Sequence, residues 1–334
     1  MTTTKPLESL PKETASPVFR AFLDTLSTLA SSDATVLLSG EIGVGKSLAA
    51  RTLHRLSDRA PMPLVEISLA ALAPSLVESE LFGHERGAFT DARTARLGCF
   101  RRAEGGTLVL EDIDLLPLDA QVKLLRVLQE RVVEPLGSEA PVPIDVRLVV
   151  TTGADLARLV AEGTFREDLY YRLAVVPIEV PPLRARLEDL PMLVRTLTDL
   201  RAAALGVPPL LVSAEAHARL EAFPWPGNVR ELENALERAL VLAGLGDGGG
   251  SGELGLRDFE FLDEAVAGFA DELAKSALAH GLSVADLEAA MLDRAVRESR
   301  GNLSAAARAL GITRRALEYR LGEGAKKAKP GKAL

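Results

Sequence analysis

The segment Gly40-Glu41-Ile42-Gly43-Val44-Gly45-Lys46-Ser47 concentrates the chemistry of this sequence. It fits the pattern G-x-x-x-x-G-K-[ST], in which backbone N–H groups of a glycine-rich turn curl around phosphate oxygens. In that pattern Lys46 reaches the β- and γ-phosphates and the Ser47 hydroxyl binds Mg²⁺. The positive end of a helix starting there adds to the attraction. A glycine-rich turn with a chance lysine is the bland alternative. The context argues against it, because apolar Thr35-Val36-Leu37-Leu38 precedes the motif and helix-forming Leu48-Ala49-Ala50-Arg51 follows. A nucleotide site also needs acids at the tip of a neighbouring strand, to hold Mg²⁺ and to activate water. Glu111-Asp112, directly after Thr107-Leu108-Val109-Leu110, meets that need, with Glu111 the metal-side acid. Two acids after a strand are by themselves a solvated turn; the phosphate loop upstream makes them catalytic candidates.

These groups need a rigid frame. Apolar runs at residues 35–38, 107–110, 146–150 and 175–180 alternate with helical stretches, which predicts an α/β domain with a parallel sheet covered by helices. One such helix spans Gln121 to Glu130, with Val122, Leu125 and Leu128 on one face. From Arg184 to Ala243 the pattern is purely helical, as in a small lid. Residues 244–252, GLGDGGGSG, read as a linker, followed by one amphipathic helix from Phe259 to Ala279. The expected organisation is a disordered lead-in over 1–15, an α/β subdomain over 16–180 and a helical lid over 181–243. A linker with connecting helix (244–282), an all-α DNA-binding domain (283–322) and a basic tail (323–334) complete it.

Three short helices fit Val284–Ser299, Leu303–Leu310 and Thr313–Leu321, and the last two read as a helix-turn-helix. Asn302 caps the first of these two, Ala306, Ala307 and Leu310 face inward, and Gly311 makes the turn. Leu317 and Leu321 pack inward from the second helix, leaving Arg314, Arg315, Glu318, Tyr319 and Arg320 outside. The second helix of such a motif lies in the major groove. Arg314 and Arg315 are candidates for base or phosphate contacts, Arg308 and Arg320 for phosphates, and Asn302, Ser304 and Thr313 complete the DNA-facing set. From Val284 to the end, eleven Arg and Lys stand against six Asp and Glu, a net +5 that leaves −13 on the rest of a chain of net charge −8. Only the basic end suits a polyanion. One cysteine, Cys99, in 334 residues excludes an internal disulfide and suits a reducing cytoplasm. No run is apolar enough for a signal peptide or a membrane span.

Beyond these motifs, Glu78-Ser79-Glu80-Leu81-Phe82-Gly83-His84-Glu85-Arg86-Gly87-Ala88-Phe89-Thr90 closely resembles the ESELFGHEKGAFTGA segment of the sigma-54-dependent transcription activators, the bacterial enhancer-binding proteins. Gly105-Gly106-Thr107-Leu108, the helix from Gln121 to Glu130, Phe165-Arg166-Glu167-Asp168-Leu169-Tyr170-Tyr171-Arg172-Leu173, Pro181-Pro182-Leu183-Arg184 and Trp225-Pro226-Gly227-Asn228-Val229-Arg230-Glu231-Leu232 resemble further family signatures in the family's order. The resemblance spans about residues 16–321 and closes on a Fis-type module. It implies an AAA+ P-loop NTPase using ATP and Mg²⁺, assembled as a ring, by resemblance a hexamer. Arg166 and Arg172 would then reach the γ-phosphate of a neighbouring subunit, and Arg230 the phosphates of its own. The loop Gly87-Ala88-Phe89-Thr90-Asp91-Ala92 would touch sigma-54, and the Fis-type end would bind an upstream enhancer-like DNA site. The helix from Val284 to Ser299, with Leu287, Met291 and Ala295 on one face, would dimerise.

Four features depart from the family pattern. Asp91 replaces a glycine, the acidic pair is Glu111-Asp112 instead of Asp-Glu, Ser68 stands for an Asn that orients the catalytic acid, and Gly153 stands for the Asn or His of the first sensor. The acid swap moves each carboxylate by roughly one C–C bond, ~1.5 Å. A displacement of ~1 Å can cost ~100-fold in rate. Two readings therefore stand: an ATP-hydrolysing activator of sigma-54 RNA polymerase, and a nucleotide-gated DNA-binding regulator with little or no turnover. With about sixteen residues ahead of the ATPase, control is expected from a partner protein or from abundance.

Overall fold

The computed structural model describes residues 10–11, 13–88, 94–138, 140–245, 253–299 and 301–327. The chain divides into two compact units, Met1–Phe259 and Glu260–Leu334. The first is built on five parallel strands: β1 (Val36–Ser39), β2 (Leu64–Ser68), β3 (Thr107–Glu111), β4 (Arg147–Thr152) and β5 (Val176–Glu179), in the order β2-β3-β4-β1-β5. Parallel strands covered on both faces read as near-continuous apolar runs, and all six residues of β4 are buried. Successive side chains still point to opposite faces. Leu37, Leu108, Leu110, Leu148 and Val150 join one core cluster, while Val36, Leu38, Val109 and Val149 join the other. The first cluster includes residues of α3 (Pro74–Phe82), α4 (Leu118–Glu130) and α5 (Glu167–Leu173). The second holds the apolar faces of α1 (Pro17–Ala30) and α2 (Lys46–Leu56).

Strand β2 has no counterpart among the four apolar runs read from the sequence. It lies at the sheet edge, only partly buried, with exposed Glu66 paired to Arg51 at 2.8 Å, so its apolar signal is diluted. The face of α4 also differs from expectation. Ala120, Gln121, Leu124, Val127 and Leu128 are buried, whereas Val122 points outward at 49% exposure. The helix is turned so that a glutamine enters the interior and a valine leaves it.

The lead-in is not free over its whole length. Leu10 is buried in the second cluster and its N–H donates to Thr52 Oγ1 at 2.8 Å. The Asp189 carboxylate accepts from Thr14 Oγ1 at 2.8 Å, the Ala15 N–H at 2.7 Å and the Ser16 N–H at 3.1 Å. Short polar residues look solvated until a distant carboxylate supplies their partner. Arg147, 2% exposed, donates to Leu29 O at 2.7 Å and Ala30 O at 2.9 Å. A cation there satisfies carbonyls at the C-terminus of α1 and complements its dipole.

The lid comprises α6 (Leu190–Leu205), α7 (Ala214–Ala222) and α8 (Asn228–Leu245). It is not purely helical, because Leu211–Val212 pairs in parallel with Glu253–Leu254 from beyond the glycine-rich linker. Buried Phe259, in the short turn Leu256–Phe259, belongs to this unit too. The expected linker thus begins inside α8 and ends before residue 253; residues 246–252 lie outside the described residues.

The second unit contains α9 (Phe261–Ala279), α10 (Val284–Glu298), α11 (Leu303–Ala309) and α12 (Arg314–Lys327). Leu292, Ala295, Ala306, Ala307 and Leu317 form its core, flanked by Leu303, Leu310, Ile312 and Leu321. Helix α12 runs to Lys327, so residues 323–327, expected as tail, are helical. Residues 328–334 lie outside the described residues.

Candidate nucleotide site and DNA-binding unit

The motif 40–47 links β1 to α2, and its shape depends on three glycines at positive φ: Gly40 at 146°, Gly43 at 78° and Gly45 at 102°. Side chains other than hydrogen disfavour that region. Gly43 is also sterically required, since a Cβ there would sit 2.1 Å from Gly227 O and 3.0 Å from Arg230 Cβ. The Lys46 ammonium donates to Gly40 O at 2.8 Å and Glu41 O at 3.0 Å. Burial pulls it below its usual pKa. The carboxylates of Asp112 and Asp114 oppose that shift, Arg230 adds to it, and Glu111 opposes it again. The expected lysine, acids and lid arginine therefore share one electrostatic neighbourhood.

The C-terminal ends of the strands line up the polar groups. Ser68 is in register with Glu111, and Ser39 with Thr152. Asp112 has φ 59°, a left-handed conformation that Asp tolerates better than most residues. Ser68 Oγ donates to Asp112 Oδ2 at 3.3 Å, so the serine at this departure still reaches the second acid. Asp114, not singled out from the sequence, accepts from Thr152 Oγ1 at 2.7 Å. Its position two residues after Asp112 was the available signal. Gly153 leaves the flank of Lys46 without a side chain; a Cβ there would stand 3.8 Å from Nζ.

The lid is latched to the phosphate loop. Buried Asn228, at φ 54°, accepts from the Leu183 N–H at 2.8 Å and donates through Nδ2 to Glu41 Oε2 at 3.0 Å and Ile42 O at 3.1 Å. Arg184 grips Glu41 with two bonds of 2.7 and 2.5 Å. Arg186, 2% exposed, donates to Val44 O at 3.0 Å and lies 4.0 Å over the Phe19 ring. Burial lowers the Arg186 pKa to about 10 against the opposing pull of Asp189. Asn228, Arg184 and Arg186 were missed as site residues, although Asn228 and Arg184 lie within motifs the sequence displays. Arg230 itself is exposed, and its N–H donates to Gly43 O at 3.3 Å.

Arg166 and Arg172 stand at the two ends of α5, both exposed. Arg166 chelates Asp168 with bonds of 3.0 and 2.7 Å, and Arg172 donates to Leu128 O at 3.0 Å. In the sigma-54-type loop, Gly87 has φ 86° and Ala88 packs beside Gly137. Phe89, Thr90, Asp91 and Ala92 lie outside the described residues.

In the second unit the Asn302 side chain accepts from Ser304 N at 3.1 Å and Ala305 N at 3.2 Å, capping α11. Gly311, at φ 65°, makes the turn, and Thr313 Oγ1 accepts from Ala316 N at 3.2 Å at the start of α12. Arg308, Arg314, Arg315, Glu318, Tyr319 and Arg320 are exposed. Arg314 pairs with Glu318 at 2.8 Å and Arg320 with Glu288 at 3.1 Å. Of the three α10 residues expected on one outward face, Met291 is 57% exposed but Ala295 is buried in the unit's own core. Packing on α11 and α12 claims that alanine.

A five-stranded parallel sheet with a phosphate loop after β1, acids at the C-terminal end of β3 and a latched helical lid defines a P-loop ATPase of the AAA+ class, carried on one chain with a helix-turn-helix. Three family models match in chain order: the Sigma-54 interaction domain over residues 13–179, the AAA+ ATPase lid domain over 184–249, and the Bacterial regulatory protein, Fis family, over 283–324. The chain belongs to the sigma-54-dependent activator family. The DNA-binding transcriptional regulator NtrC of Bradyrhizobium sp. is 40% identical over 335 residues, covering 94% of this chain and 69% of its own. The C4-dicarboxylate transport regulatory protein DctD of Pseudomonas aeruginosa is 44% identical, covering 89% of this chain and 61% of its own. The chain therefore spans about three-fifths to seven-tenths of these relatives. The crystal structure of NtrX from Brucella abortus in complex with ATP superposes with a TM-score of 0.69 at 31% identity, covering 94% of this chain and 69% of that one. Among the described residues no helix is long and apolar enough to cross a membrane.

Proposed function

We propose that this protein works in the cytoplasm as an activator of sigma-54 RNA polymerase. It docks on an upstream enhancer-like DNA site through α11 and α12, dimerises through this unit and assembles into a ring, a hexamer by family likeness. Hydrolysis of ATP at sites between subunits drives the loop Gly87–Ala92 against sigma-54. The observation that carries this reading is the separation of charges in the first unit. Lys46, Glu111, Asp112, Asp114 and Arg230 share one field, while the exposed Arg166 and Arg172 side chains bond to Asp168 and to Leu128 O. An arginine so placed suits the γ-phosphate of a neighbour, where it stabilises transition-state charge.

The donor set fits Mg²⁺, a hard cation that takes oxygen ligands from one or two carboxylates and the substrate phosphates. Ser47 and Glu111 would hold it, and it would neutralise charge developing on the phosphates. Asp112, oriented by Ser68, would take the proton of the attacking water. Such an ion usually keeps several waters and takes further oxygens from the substrate phosphates.

Steady-state ATP turnover by the purified protein, measured across a concentration series, tests the motor. Cooperative rise with concentration, and loss in Arg166→Ala, are expected. ATP binding without turnover would instead establish the nucleotide-gated regulator, which the bare flank of Lys46 at Gly153 favours. On a sigma-54 promoter, Phe89→Ala is expected to abolish activation; unchanged activation would refute the loop's role.

A further inference from the structure

Gln121 is the polar residue on the buried face of α4, among Ala120, Leu124, Val127 and Leu128, and its side chain is fully enclosed. Burying an amide costs free energy unless its hydrogen bonds are remade. They are remade here, and the partners are informative. Nε2 donates to Leu116 O at 2.8 Å and to Thr164 O at 3.2 Å, while Oε1 accepts from the Arg166 N–H at 2.8 Å. Leu116 closes the short turn Ile113–Leu115 that begins at Asp112. Arg166 is the N-cap of α5. One side chain thus spans the segment that carries the catalytic acids and the segment that carries the candidate arginine finger.

We infer that Gln121 is a positioning residue: it fixes the Arg166 backbone relative to this subunit's own acidic turn, and so sets the finger presented to the neighbouring site. The inference rests on the reading that Arg166 acts between subunits. Asp168 holds the Arg166 guanidinium and Gln121 holds its main chain, so the two constraints are complementary. A movement of the turn after β3 is passed to Arg166 through a rigid amide with no solvent beside it. Its three hydrogen bonds all go to the chain itself, and its contribution runs through Arg166.

The test separates an effect on the neighbour's site from one on the subunit's own. Gln121→Met keeps the volume and removes the three hydrogen bonds. Turnover by the full chain is expected to fall by about 100-fold, the scale set by a ~1 Å misplacement. The dissociation constant of a fluorescent ATP analogue is expected to stay within about two-fold. Mixed with Lys46→Ala, which lacks its phosphate lysine but carries an intact finger, the variant should regain turnover beyond the sum of the two proteins. Arg166→Ala mixed with Lys46→Ala is the control. Recovery in the control without recovery for Gln121→Met would place Gln121 in its own site and overturn the inference, as would wild-type turnover in the variant. Absence of recovery in the control would instead refute the inter-subunit reading, and this inference with it. Should thermal melting show that Gln121→Met does not fold, Gln121→Glu, which keeps the acceptor facing the Arg166 N–H, replaces it in the same mixing assay. Recovery with Lys46→Ala is again expected, and its absence beside a recovering control again overturns the inference.

Discussion

At the scale of single residues, the site is shaped as much by what lacks a side chain as by what has one. Gly43 and Gly45 both sit at positive φ, yet only Gly43 has the lid against it. Gly43→Ala adds an atom 2.1 Å from Gly227 O, whereas Gly45→Ala meets nothing within 4 Å and suffers strain alone. Overpacking costs about 1–3 kcal/mol, so Gly43→Ala should lower the thermal midpoint of the first unit more than Gly45→Ala. The reverse order in paired melts would remove the lid clash as the reason for glycine. The departures also look different in three dimensions. Ser68 and Asp112 are both shorter than their family counterparts, and they still meet at 3.3 Å.

At the scale of elements, helix ends and helix faces decide what is held and what is exposed. The α11 N-terminus depends on Asn302, whose carbonyl oxygen takes two N–H groups that no residue inside the helix can satisfy. Asn302→Ala should cost about 1 kcal/mol and Asn302→Gly only a few tenths. A melt of the second unit that ranked alanine no worse than glycine would show that the cap contributes nothing. Helix α4 shows the same dependence at a helix face. Its apolar spacing permits more than one inward face, and the choice between Val122 and Gln121 rests on Leu116 O, Thr164 O and the Arg166 N–H, groups brought close by the chain's path around the sheet.

At the scale of the whole molecule, charge is divided between an acidic body and a basic end from Val284 onward. Arg308, at the end of α11, is exposed, and the proposed function assigns it to phosphate. Arg308→Ala should weaken binding about equally for all DNA sequences and reduce the slope of log K against log salt by about 1. A selective loss at one base position, with the slope intact, would make Arg308 a base reader. The latch from Glu41 to Asn228 and Arg184 belongs to this scale too, because it joins residues more than 140 positions apart.

Local pattern by itself determined much of this protein: the phosphate loop, the acids at the end of β3, four of the five core strands, the lid's helical character and the capped helix-turn-helix. Each is encoded within a few residues, by glycines at strained turns, by apolar periodicity or by a capping side chain. Tertiary structure decided the rest. The edge strand β2, the docking of Leu10 and Thr14 to Ser16, the strand pairing of Glu253–Leu254 with the lid, and the inward turn of Gln121 all depend on partners distant in sequence. A polar group's place inside a fold is set by whichever donor or acceptor the rest of the chain brings to it, and no local pattern records that.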